Sequence, residues 1–136
     1  MSATAVSILG HLGWTILLAF LLVGSRLVTS MTKGNALNSF SQDGSDLPPL
    51  GGRITRAHGN SLEWMVIPVG LMLYGLIIGQ SEVTNGLAMI CLYCRLGQSI
   101  VHMASTSVPA VLVRATFFSA QVVIWAMWTW NFYNAG

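Results

Sequence analysis

The chain has 136 residues, of which 54% are hydrophobic and only 7% are charged. Soluble domains carry about 25% charged residues, so the few charges here cannot cover a globule in water. This composition excludes a soluble enzyme and a disordered chain. It also excludes a nucleic-acid-binding protein, because the net charge of +2 is scattered and forms no basic patch. The chain is predicted to be an integral membrane protein.

Long charge-free runs predict where the chain crosses the membrane. Residues 1–25, 64–81 and 115–136 contain no charged residue, and residues 83–113 contain only Arg95. A helix needs about 20 residues to cross roughly 30 Å of hydrocarbon, and no run alternates as a strand would. The predicted spans are 4–30, 53–79, 86–105 and 109–132. The expected fold is an all-α, integral membrane four-helix bundle of a single domain, 1–136.

The first run is predicted to be a true span. It lacks the basic first residues of a signal peptide, and its apolar stretch exceeds the about 7–15 residues of a signal core. The loop that follows, residues 31–52, is rich in Gly, Ser, Asn, Asp and Pro. A loop of this length in so small a protein is expected to be functional or poorly ordered.

Basic residues near the span ends predict the orientation in the membrane. Five lie on one side, around the long loop and near the turn between the last two spans: Arg26, Lys33, Arg53, Arg56 and Arg114. The connector on the other side has Glu82 and no basic residue. By the positive-inside rule, loop 31–52 is expected to be cytoplasmic and both termini non-cytoplasmic.

Polar side chains inside the spans form three stripes. The stripe of the second span consists of Arg53, Arg56, Asn60 and Glu63. Those of the third and fourth spans consist of Arg95, Gln98 and His102, and of Arg114 and Gln121. At 100° per residue, each stripe falls within about 80° on one helix face. Three stripes on the cytoplasmic halves of three helices predict a shared polar pocket between them.

Depth predicts an ion pair within this pocket. Glu63 lies about 15 Å into the second span and Arg95 lies at a similar depth in the third, so the two charges are expected to pair. Two interpretations stay open, since such residues either hold neighbouring helices together by hydrogen bonds or bind a ligand. The surplus of arginine favours a ligand with carboxylates or phosphates, because three guanidinium groups, those of Arg53, Arg56 and Arg114, have no acidic partner.

The remaining polar residues are interpreted without a functional site. Cys91 and Cys94 lie inside a helix with no second pair nearby, so neither a metal site nor a redox role is expected. His11 is interpreted as a hydrogen-bonding residue between helices. His58 points about 140° away from Arg53 and is expected at a subunit contact or at the membrane interface.

The run RAHGNSLE at residues 56–63, with Pro68 after it, resembles the helix-two signature of the MAPEG family, membrane-associated proteins in eicosanoid and glutathione metabolism. The family pattern is Arg-Ala-(His/Gln)-x-Asn-x-x-Glu followed by Pro. Arg95, with the positions three and seven residues later, is similar to the family's third-span motif, and Arg114 is similar to its thiol-activating arginine. The resemblance covers the whole chain in length, span number and long first loop.

The resemblance implies a four-helix protomer that forms a homotrimer and holds glutathione between neighbouring protomers near the cytoplasmic face. The implied glutathione-binding residues are Arg53, Arg56, Asn60, Glu63, Arg95, Gln98 and His102. Arg114 would be the catalytic residue, because a guanidinium beside the sulfur lowers the thiol pKa from about 8.5 and stabilises the nucleophilic thiolate.

The expected function is that of a membrane glutathione transferase. It would conjugate glutathione to lipophilic electrophiles, or reduce lipid hydroperoxides, with substrates entering from the membrane lipid between the first and fourth spans of adjacent protomers. The alternative is a non-catalytic accessory or structural protein of the same fold that binds another anionic ligand or a lipid. A channel is disfavoured, because the stripes occupy only one half of each span. Gln98, His102 and Phe118 depart from the family's usual residues, so glutathione binding is better supported than any particular chemistry.

Overall fold

Five helices build the four membrane spans of the computed structural model, which describes residues 1–135. The helices are α1 (Ala3–Lys33), α2 (Pro49–Trp64), α3 (Val66–Ile77), α4 (Glu82–Ala104) and α5 (Val108–Ala135). α2 and α3 form the second span together, from Pro49 to Ile77. The predicted all-α bundle with four spans is therefore confirmed, and the described residues contain no strand.

The second span is interrupted at Met65, three residues before Pro68. Proline has no N–H, so the helical hydrogen bond from residue 68 back to the carbonyl of Trp64 is missing. The Met65 N–H still donates to the Ser61 carbonyl at 3.0 Å, which keeps the two helices nearly continuous. The break leaves Trp64 as the last residue of α2.

The long loop is shorter than the sequence predicts. α2 begins at Pro49 instead of residue 53, since a proline in the first turn gives up an N–H that has no helical partner there. α1 continues to Lys33 and ends at Gly34, whose φ of 72° is a conformation that glycine adopts without strain. Residues 34–48 remain as the loop between them.

Serine and aspartate side chains order this loop. Ser41 Oγ lies 2.8 Å from Asp43 Oδ1 and 2.7 Å from Asp46 Oδ1, so its single hydrogen can be donated to either carboxylate. The Ser45 backbone N–H and the Ser41 hydroxyl stabilise the carboxylate of Asp43 and lower its pKa to about 2. Arg26 Nη2 donates to the Ser41 carbonyl at 3.2 Å, which ties the loop back to α1.

α1 turns polar side chains towards the bundle and apolar ones outward. Its buried polar residues, three or four positions apart, are Thr4, Ser7, His11 and Thr15. The Ser7 hydroxyl donates to the Ala88 carbonyl of α4 at 2.8 Å, and the Thr15 and Ser61 hydroxyls lie 2.9 Å apart. His11 Nδ1 donates to the Ser7 carbonyl at 2.8 Å. The hydrogen bond of His11 therefore lies within α1, whereas a bond between helices was expected.

The apolar core lies between α1, α3, α4 and α5. Trp128 is 1% exposed and Met72 is fully buried, and both pack beside Cys91. The Trp125 indole N–H donates to Cys91 Sγ at 3.3 Å. Cys91 is therefore a packing residue with a weak hydrogen bond.

Candidate functional site

A groove of about 280 Å³ opens between α2, α4 and α5. Its polar lining residues are Asn60, Gln98, His102 and Arg114. Its other lining residues are Trp64, Val111, Ala115 and Phe118. The groove therefore brings together at least one member of each of the three polar stripes. Four of the eight predicted site residues meet here, and the other four lie beside or behind the groove.

Short connections explain why these side chains meet. α4 ends at Ala104 and α5 begins at Val108, so the two helices run antiparallel from a turn of three residues. Counting equal distances from that turn places Arg114 at the level of Gln98 on the neighbouring helix. His102 lies one helical turn nearer to the connection than Gln98. α2 packs against α4 on the other side and contributes Asn60 to the same level.

Arg95 lies fully buried behind the groove. Its Nη1 donates to Asn60 Oδ1 at 3.1 Å and to Gln98 Oε1 at 3.2 Å. Its Nε and Nη2 have no hydrogen-bond partner within residues 1–135. Arg95 thus supports two groove residues from inside the bundle without lining the groove itself.

The predicted ion pair between Glu63 and Arg95 is wrong. Among the described residues, the Arg95 guanidinium bonds only to the amide oxygens of Asn60 and Gln98, and it bonds to no carboxylate. The Glu63 side chain is exposed. The physical reason is rotation about the axis of α2, since Glu63 lies about 60° further round the helix than Asn60. Asn60 reaches α4, whereas Glu63 points past it.

Arg53 and Arg56 also lie outside the groove lining. Arg53 Nε donates to the Met103 carbonyl at 2.6 Å, in the last turn of α4. Carbonyls at a helix C-terminus lack helical partners and attract cations, so Arg53 joins α2 to the end of α4. Arg56 is exposed, next to Glu63 on the outer side of the stripe, and His58 is half-buried.

The groove offers hydrogen-bond donors. The Asn60 side-chain oxygen already accepts bonds from Arg95 Nη1 and from Gln98 Nε2, the latter at 3.2 Å, which leaves the Asn60 NH₂ group for a ligand. Arg114 makes no hydrogen bond within the described residues, and its Nε is buried. A guanidinium and an amide NH₂ group suit a ligand with anionic or acceptor atoms.

Aromatic rings line the groove one helical turn further from the α4–α5 connection than the donors. The ring centroids of Trp64 and Phe118 lie 4.9 Å apart in an edge-to-face arrangement, and Trp125 stacks behind Trp64 at 6.3 Å. Trp64 was not predicted as a groove residue. Its position could have indicated it, because Trp64 follows Asn60 by one helical turn and directly precedes the break caused by Pro68.

Four apolar spans around a donor-lined groove define the class as a helical integral membrane protein with a polar groove between its spans. The sequence model of the MAPEG family matches residues 4–133, nearly the whole chain, and the chain belongs to this family. Comparison with curated proteins found no match, and neither did comparison with solved structures. The resemblance of residues 56–63 is thereby confirmed. The family consists of glutathione-transferase-like membrane proteins, which generally use glutathione as substrate or cofactor.

Proposed function

We propose that this protein is a membrane-bound glutathione transferase that conjugates glutathione to lipophilic electrophiles or reduces lipid hydroperoxides. The observation that carries the proposal is the Arg114 guanidinium, which lines the groove without a partner among the described residues. A guanidinium near the glutathione sulfur favours the thiolate over the thiol. The thiolate then attacks the electrophile, and the leaving group departs with the electron pair of the broken bond.

The donors and the aromatic rings, which lie one helical turn apart in the groove, suit the two reactants. The donors of Asn60 and Arg114 match the carboxylates and the thiolate of glutathione. The rings of Trp64 and Phe118 match a lipophilic partner that arrives from the membrane. The Asn60 NH₂ group would therefore hold the peptide while Arg114 faces its sulfur.

A second copy of the chain would complete the site, as the expected homotrimer requires. The groove, at about 280 Å³, is small, because ligand pockets usually measure about 300–1,000 Å³. Arg56 and Glu63 are exposed on a membrane-spanning helix, where a charge facing lipid is unfavourable. A neighbouring protomer, with glutathione bound between the two chains, would cover the side chains of both Arg56 and Glu63.

One observation favours the alternative of a non-catalytic binding protein. The residues that line the groove include no Ser, Thr, Tyr or Cys, so no hydroxyl or thiol there can bond to a reacting sulfur or peroxide. The family often has His or Tyr at two positions of the third span and at one position of the fourth span. Here these positions are Gln98 and His102 on α4 and Phe118 on α5. Under this alternative, the same donors bind an anionic ligand or a lipid headgroup without turnover.

Calorimetric titration with glutathione tests the proposal. The purified protein should bind glutathione at neutral pH and release close to one proton per site, because the bound thiol ionises. Titrations in two buffers of different ionisation enthalpy measure that proton. S-methylglutathione, which has no thiol proton, is the matched control and should release none. Binding without proton release supports the non-catalytic alternative, and the absence of binding contradicts the proposal.

The proposed orientation places loop 34–48 in the cytoplasm and the connector before α4 outside. Cysteine variants test it in a background with Cys91 and Cys94 replaced by alanine. Leu37→Cys, at a position 66% exposed, should react with a membrane-impermeant maleimide only from the cytoplasmic side. Glu82→Cys, at the exposed start of α4, should react only from outside and is the matched control. The reverse pattern would place the groove on the side away from cytosolic glutathione.

A further inference from the structure

A chain of side-chain hydrogen bonds runs from α5 to the groove. Gln121 on α5 is fully buried and does not line the groove. Its Nε2 donates to Gln98 Oε1 at 2.9 Å, and Gln98 Nε2 donates to Asn60 Oδ1 at 3.2 Å. Three amides on three helices therefore point their donors in one direction, towards the groove.

Groups at the two ends impose this direction. A side-chain amide has one donor end and one acceptor end of similar size, so it fits either way round unless its neighbours decide. The Phe117 carbonyl can only accept, and Gln121 Nε2 donates to it at 3.0 Å. The Arg95 guanidinium can only donate, and its Nη1 bonds to the oxygens of both Gln98 and Asn60.

The groove inherits its polarity from this chain. Because Gln98 presents its oxygen to Arg95 and Gln121, its nitrogen must face Asn60. Asn60 then accepts on the inner side and keeps its NH₂ group for the groove. With the chain reversed, Asn60 would present its oxygen instead and would repel a carboxylate or a thiolate.

One unpaired atom shows that the ends of the chain dominate. Gln121 Oε1 is buried and has no partner within residues 1–135. Turning this amide around would place its oxygen against two other oxygens, those of Phe117 and Gln98. Gln121 therefore keeps an unpaired acceptor, and in return its NH₂ group bonds to both of those oxygens.

We propose that two positioning residues, Arg95 acting directly and through Gln98 and Gln121 acting through Gln98, hold Asn60 as a donor towards an anionic ligand. The direction of the hydrogen bonds follows from the geometry alone. Its effect on glutathione affinity rests on the function proposed above. The two parts are therefore tested separately.

Hydrogen exchange of the Asn60 side-chain amide tests the direction. In an Arg95→Met background, where Gln121 alone fixes the direction, Gln121→Glu removes the donor at the start of the chain, so Gln98 should turn its NH₂ group to the new carboxylate and Asn60 should turn in response. One Asn60 amide proton then bonds to Gln98, and its exchange with water should slow by about tenfold or more. NMR of protein labelled at asparagine measures it, with Asn60→Ala assigning the resonance. Unchanged exchange overturns the proposal.

A second variant covers the case in which Gln121→Glu fails to fold. In the same background, Gln98→Glu places a carboxylate beside Gln121 Nε2, which can donate to it. It offers no N–H to Asn60, which should again turn and show the slowed exchange. Gln80→Glu, the same substitution outside the chain, is the matched control and should leave the exchange unchanged.

A double-mutant cycle on glutathione affinity separates polarity from charge. In the Arg95→Met background, Gln121→Glu should weaken binding by about tenfold, and it should have no further effect once Asn60→Ala is added. A direct charge effect would weaken binding equally with and without Asn60 and would overturn the role of Asn60. If the wild type binds no glutathione, the proposed function fails, and the exchange measurement still decides the direction of the chain.

Discussion

Replacing Arg114 by alanine should slow conjugation of glutathione by about 10²–10³-fold, the usual effect of losing one preorganised group that stabilises a reacting anion. The ultraviolet absorbance of bound thiolate should disappear at neutral pH. Glutathione affinity should fall only a few-fold, because the proposed contacts to the peptide come mainly from α2 and α4. An interaction made chiefly with the reacting charge lowers turnover more than it lowers binding.

Arg56→Ala is the matched control for this prediction, since it also removes one guanidinium. Arg56 would bind a carboxylate of glutathione, so its loss should weaken affinity by about tenfold while the bound thiol stays ionised. Equal effects of the two variants on the thiolate absorbance would contradict the role given to Arg114. A wild-type protein that binds glutathione without thiolate absorbance, and without turnover of an aryl halide, would support the non-catalytic alternative.

Trp128→Ala should cause the largest loss of stability. Trp128 is 1% exposed in the apolar core between α1, α3, α4 and α5, and removing a buried tryptophan leaves a cavity that costs about 3–5 kcal/mol. Thermal unfolding in detergent should show a midpoint lower by roughly 10 °C.

Trp130→Ala is the matched control, because Trp130 lies on the same helix and is 66% exposed. Its stability should stay within about 0.5 kcal/mol of the wild type. A large loss in this control would mean that Trp130 is buried in the assembled protein, and equal losses in both variants would contradict the assignment of the core.

The sequence predicts this fold well because a bilayer allows few alternatives. Charge-free runs of sufficient length specify four spans, and punctuation by Pro and Gly specifies their connections. The start of α2 was predicted late, since Arg53 and Arg56 suggest the membrane boundary and not the helix boundary. Pro49 begins the helix outside that boundary.

The candidate site was predictable in depth but not in rotation. Equal depth suggested that Glu63 pairs with Arg95, yet helical spacing gives only relative angles within one helix. Which edge of a polar stripe faces the neighbouring helix depends on packing, which favours Asn60 over Glu63. The direction of the amides of Gln98 and Gln121 was equally hidden, because it depends on contacts between residues far apart in the chain.

The inward polar face of α1 has a consequence for how this protein is made. Thr4, Ser7 and Thr15 take their partners from residues 61–88, which leave the ribosome later. With a mean hydropathy of 2.1 in its most apolar window, α1 can enter the bilayer alone, but Thr4 and Ser7 find their partners on α4 only when the third span arrives. Assembly of the bundle is therefore coupled to completion of synthesis. Truncation before α4 would leave α1 with a polar seam facing lipid, a feature that membrane quality control can recognise.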